Sequence, residues 1–159
     1  MKFTDFEDGF RFELANREFA RLSMSLLASR AATHELGPFF VAYARLEEFS
    51  APRYLAAAER LSIRFRPSPR IRVRGWLTGR TPRPLLRELL RIAYPRTVEY
   101  AEDLRRLAAS GPPGEESFLD YLVRQEDLQV RMMHAALAGK PGDALKAAEE
   151  FVGRWSQTP

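Results

Sequence analysis

Apolar residues recur at three- and four-residue spacings in four long stretches, and Gly and Pro punctuate the gaps, so the pattern predicts four helices. The first is expected from about Asp8 to Ala31 and the second from about Gly37 to Leu61, with Pro38 suited to its first turn. Pro84 opens the third, to about Ala109, and "SGPPGEES" separates it from a fourth between about Glu116 and Gly139. After "GKPGD" a short last helix spans Ala144 to Trp155. Pro52 and Pro95 fall inside the second and third helices, where each removes a hydrogen bond and should kink the axis.

Between the second and third helices lies "SIRFRPSPRIRVRGWLTGRTPR", about 62–83. Ile63, Phe65, Ile71 and Val73 alternate with arginines, which suggests extended chain, with a small hairpin turning at Pro67-Ser68-Pro69. At about 3.3 Å per residue such a link outreaches a helix of roughly 39 Å, so it can act as a crossover that leaves the second and third helices parallel. Short links elsewhere imply antiparallel neighbours.

Several polar residues fall on inward faces. In the fourth helix Leu119, Leu122, Val123, Val130, Met133 and Leu137 define an apolar face that contains Glu126 and Gln129. In the second, Phe40, Tyr43, Ala51, Tyr54, Ala58 and Leu61 surround Glu47, with Ser50 one turn further on. The arc Leu14, Ala15, Phe19, Leu22 and Leu26 of the first helix carries Glu18 on its edge. The third helix offers Leu86, Leu89, Leu90, Ala93, Tyr100, Leu104 and Leu107, with Thr97 inward at its middle.

This arrangement resembles the ferritin-like superfamily, an all-α four-helix bundle with a long crossover between helices two and three. Its dinuclear site takes one Glu from each of helices one and three and a Glu-x-x-His from each of helices two and four. Glu18, Glu47 and Glu126 match the Glu of helices one, two and four. Ser50 and Gln129 stand where the histidines belong, and Thr97 or Tyr100 where the third-helix Glu belongs. The resemblance therefore implies a degenerate centre. Without imidazoles only hard oxygen donors remain, which disfavours di-iron oxidation. Three inward carboxylates still repel one another unless protonated, solvated, paired with arginine or neutralised by a cation.

The leading expectation is a metal-free polar network of Glu18, Tyr43, Glu47, Ser50, Tyr54, Thr97, Tyr100, Glu126 and Gln129, the tyrosines placed to donate to the acids, in a binding or interaction protein without a cofactor. The alternatives are a small ligand in the bundle core, or a carboxylate-rich metal-dependent enzyme of oxidoreductase type holding Mn, Mg, Ca or Fe at Glu18, Glu47 and Glu126. The sequence is compatible with an enzyme and with a non-catalytic protein alike.

Composition narrows the classes further. The chain of 159 residues, 45% hydrophobic, suits one domain over 1–159. It has no cysteine, which excludes disulfides and thiolate chemistry, and its only histidines are His34 and His134, the latter expected on the surface. No apolar run reaches membrane-span length, and "MKFTDFEDGF" bears acids where a secretory signal would be hydrophobic, so a cytoplasmic protein without a membrane partner is expected. Nucleotide-loop, nucleophile-elbow and zinc-protease motifs are absent. Arginines crowd the crossover, but without a DNA-binding motif a nucleic-acid partner is the third reading only, and pairing with acids such as Glu102 and Asp103 is favoured. Phe39, Val41 and Leu46, outside the central stripe of helix two, suggest a homodimer.

Overall fold

A computed structural model describes residues 3–157, and every regular element among them is helical. Helix α1 (Phe6–Arg30) is capped by Asp5, whose carboxylate accepts from the Asp8 N–H, with Glu7 and Asp8 favourably placed in its first turn. Six residues on, α2 (Gly37–Arg60) starts with Pro38 in its first turn. It is followed by α3 (Pro69–Gly79), a single 3-10 turn (Arg83–Leu85), α4 (Leu86–Ala109), α5 (Glu116–Leu137) and α6 (Pro141–Ser156). The helical assignment runs through both Pro52 and Pro95.

Contacts at the helix ends set the directions. Arg87, in the first turn of α4, donates to Glu35 just before α2 and to the carbonyl of Leu137 at the end of α5. At the opposite end Arg60 of α2 makes a two-pronged pair with Glu115 at the start of α5, at 2.8 and 2.7 Å. Helices α2 and α4 therefore run the same way, and α5 runs against both. In the packing α1 meets α2 and α4, while α5 meets α4 and α2. The backbones of α1 and α5, and of α2 and α4, face each other without touching.

The hairpin expected around Pro67-Ser68-Pro69 is not there. Residues 63–68 form no regular element, and Ser68, itself extended, caps α3 through its side-chain oxygen, with Pro69 at the first helical position. Two alternating pairs, Ile71-Arg72 and Val73-Arg74, are too short to separate a strand from a helix, and the Ser-Pro step is equally a helix start. The crossover descends along α1. Arg11 holds the carbonyl of Arg64 at 2.7 Å and Arg30 that of Gly79 at 2.9 Å. Between these ties Gly75 and Gly79 let α3 come close: a Cβ on Gly79 would lie 2.6 Å from Cβ of Leu26, and one on Gly75 3.1 Å from Cβ of Leu22.

Helix α6 packs on α2 and α5, with Phe151 and Trp155 against Tyr121 and the carbonyl of Trp155 held by Arg53 at 2.7 Å. Phe39 and Leu46, which suggested a dimer face, are 0% exposed within one chain and present nothing to a second copy; Val41 is half-buried. The reason is that α2 is covered on more than one side, so its apolar surface exceeds a single stripe.

Candidate functional site

The inward face of α1 is rotated from the one its apolar arc suggested. Phe10, Glu13, Leu14, Arg17, Ala20, Met24 and Leu27 are buried, whereas Phe19, Leu22 and Leu26 lie toward α3, where the guanidinium of Arg74 stacks on Phe19. Helix α1 thus has two apolar faces, and the more obvious one in the sequence serves the crossover. That rotation decides which polar residues reach the centre.

Arg17 is the hub. One terminal nitrogen, Nη1, donates to Glu47 Oε1 and to Gln129 Oε1, both at 2.9 Å, and the other, Nη2, donates to Glu126 Oε2 at 2.7 Å. Its Nε lies 2.8 Å from Glu13 Oε1, an ion-pair distance one helical turn back on α1. Gln129 closes the ring by donating to Glu47, and Tyr100 of α4 donates to Glu13. Because α1 and α5 do not touch through their backbones, the reach of Arg17 to Glu126 and Gln129 passes through the middle of the molecule.

The charges are unequal: one guanidinium faces three carboxylates. Burial lowers the basicity of Arg17, but Glu13, Glu47 and Glu126 more than reverse this, and it stays charged. Burial pushes Glu47 and Glu126 up to about 7, Arg17 opposing the rise in both and Glu13 adding to it. Protons therefore supply part of the missing positive charge near neutrality. Desolvation likewise keeps the hydroxyls of Tyr43, Tyr54 and Tyr100 protonated, and that of Tyr100 donates to Glu13.

Of the residues expected in the network, Glu47, Tyr100, Glu126 and Gln129 are joined in it. Glu18 is not: it sits half-buried at the rim, gripped by Arg21 at 3.1 Å through both oxygens, and Glu13 holds the interior position of α1 instead. Ser50 is buried but bonds to the Tyr121 hydroxyl rather than to Glu47. Thr97 is half-buried and donates back to the carbonyl of Ala93 at 3.1 Å, the common way a helical threonine satisfies itself. Tyr43 is buried beside the acids, and the Tyr54 hydroxyl is buried with no partner.

Glu13 and Arg17 were missed, although the signal existed. They are four residues apart, within a stripe Phe10, Glu13, Leu14, Arg17, Ala20, Met24, Leu27 that has helical spacing throughout. His134 is exposed, as expected. Glu102 and Asp103 pair with Arg105 and Arg106 on their own helix, not with the crossover, and α4 does not pack on the crossover helix α3.

A cleft of about 350 Å³ between α1, α2 and residues 65–67 leads toward this centre, lined by Leu14, Glu47, Tyr54, Leu55, Phe65 and Pro67 among others. Among the described residues no group of three or more His, Cys, Asp or Glu is arranged to hold a metal ion, and no helix is long and apolar enough to cross a membrane. Against protein-family models, curated proteins and solved structures, the chain matches none.

Proposed function

We propose that the protein is a ferritin-like helical bundle whose dinuclear centre has been replaced by an internal arginine, and that it acts as a binding or interaction protein rather than a metal-dependent oxidase. The observation that carries this reading is the guanidinium of Arg17, bonded at 2.7–2.9 Å to Glu47, Glu126 and Gln129 and ion-paired with Glu13. A cation fixed by the chain does for these carboxylates what a metal pair does in the superfamily: it offsets their repulsion inside a poorly solvated core. The parallel course of α2 and α4 and the long link between them support the ferritin-like topology. A small molecule would enter by the cleft beside Glu47 and Tyr54.

Thermal melts with EDTA and with excess Mn²⁺ or Fe²⁺ test the reading, because a cation bound only by the native state raises its melting temperature by mass action. The native chain should respond to neither. Arg17→Ala, which frees the three carboxylates, should acquire stabilisation by Mn²⁺. A native protein that purifies with metal and loses stability in EDTA overturns the proposal.

A further inference from the structure

We infer that the outer face of α3 is a docking surface for a bilayer carrying anionic headgroups. This goes beyond the reading of the bundle centre and stands or falls separately from it. Between Glu59 and Glu88 the chain has no acid; of the nine arginines there, Arg60 and Arg87 at its ends pair with Glu115 and Glu35, and the other seven are Arg64, Arg66, Arg70, Arg72, Arg74, Arg80 and Arg83. Among the described residues none of the seven forms an ion pair, and all are exposed. The backbone of the crossover is held by Arg11 and Arg30 of α1, so the segment is anchored; of its own guanidinium groups Arg74 lies over Phe19 and Arg83 donates to Thr33, and none of the seven is neutralised by an acid among the described residues.

The apolar residues supply the second half of the argument. Gly75 and Gly79 face α1, and the opposite side of α3 carries Val73, Trp76 and Leu77, which are 56%, 50% and 58% exposed. Their spacing of three and four places them on one helical face, with Arg70 and Arg74 on one flank and Arg72 on the other. Arg80 stacks on Trp76 at 4.7 Å. A groove of about 660 Å³, lined by Leu22, Leu26, Val73 and Trp76 among others, continues this apolar surface toward α1.

An exposed apolar ridge with arginines on both sides matches the physics of an interfacial helix, in which the ridge enters the headgroup boundary and the guanidinium groups stay at phosphate level. A nucleic acid would use the same arginines and could stack on Trp76. It has no use for Val73 and Leu77, since aliphatic side chains offer no stacking platform.

The test uses the full chain with Trp155→Phe, so that Trp76 is the remaining tryptophan, mixed with vesicles of phosphatidylcholine alone or with added phosphatidylglycerol. Co-sedimentation is expected with the anionic vesicles only, with a blue shift of Trp76 emission and release as salt shortens the screening length. Two variants with unchanged melting temperature separate the contributions. Combined Arg70→Glu, Arg72→Glu and Arg74→Glu should abolish binding, and Val73→Ser with Leu77→Ser should weaken it at least tenfold. Absent or charge-independent vesicle binding overturns the proposal. So does binding that the serine variant leaves intact, a preference for duplex DNA over the vesicles, or a dimer in solution that the serine variant splits.

Discussion

Arginine does opposite things at the centre of this molecule and along its crossover. Arg17 is 7% exposed and its guanidinium is shared among three carboxylates and an amide, whereas the crossover arginines are exposed and form no ion pairs among the described residues. Density along the sequence points to the crossover, yet the arginine that organises the interior stands apart from that cluster. A buried guanidinium is tolerated only where acceptors surround it, so its neighbourhood is specified on four sides; a solvated one specifies little about the fold.

The largest effect should come from Arg17→Met. It leaves three carboxylates without their internal cation and should cost on the order of 3–5 kcal/mol at pH 8, with a smaller loss at pH 5, where Glu47 and Glu126 can protonate. Denaturant unfolding at the two pH values measures this. Equal stability of variant and native protein at pH 8 would remove Arg17 from the centre of the comparison.

A smaller and more diagnostic effect is expected from Glu126→Gln. A carboxyl raised from 4.5 to about 7 on folding contributes stability that is fully present below 4.5 and is lost as pH rises through about 7. Glutamine keeps an acceptor for Arg17 and does not ionise. The variant should therefore gain on the native protein by on the order of 2 kcal/mol between pH 5 and pH 8, read as a change in the spacing of their unfolding midpoints. A constant spacing across that range would show that Glu126 is solvated.

The smallest effect belongs to the surface. Arg72→Gln should shift unfolding free energy by less than about 0.5 kcal/mol in either direction, because its charge is exposed and unpaired. A loss of 2 kcal/mol or more in a simple thermal melt would erase the distinction drawn between the two sets of arginines.

Helix positions and inward residues were legible unevenly. The starts of α2 and α5 and the end of α4 fall where the pattern of apolar residues, Pro and Gly puts them, and Glu47, Glu126 and Gln129 are buried as their place on the wheel requires. Glu18 misled because α1 has two apolar faces, and a wheel cannot say which of two faces looks inward. Thr97 misled because the middle of α4 is only partly covered, so an inward register there does not mean burial.

What the sequence alone determined is what depends on neighbours a few residues away: helical periodicity, caps, breaks at Gly and Pro, and a link long enough to cross over. The tertiary structure decided the rotation of α1, the helix inside the crossover, and the meeting of Glu13, Arg17, Glu47, Glu126 and Gln129. Those depend on which surfaces pack together, with Gly75 and Gly79 admitting α3 against Leu22 and Leu26 and thereby turning Arg17 to the middle. Residues 30 to 112 positions apart share one guanidinium, and no local pattern encodes that separation.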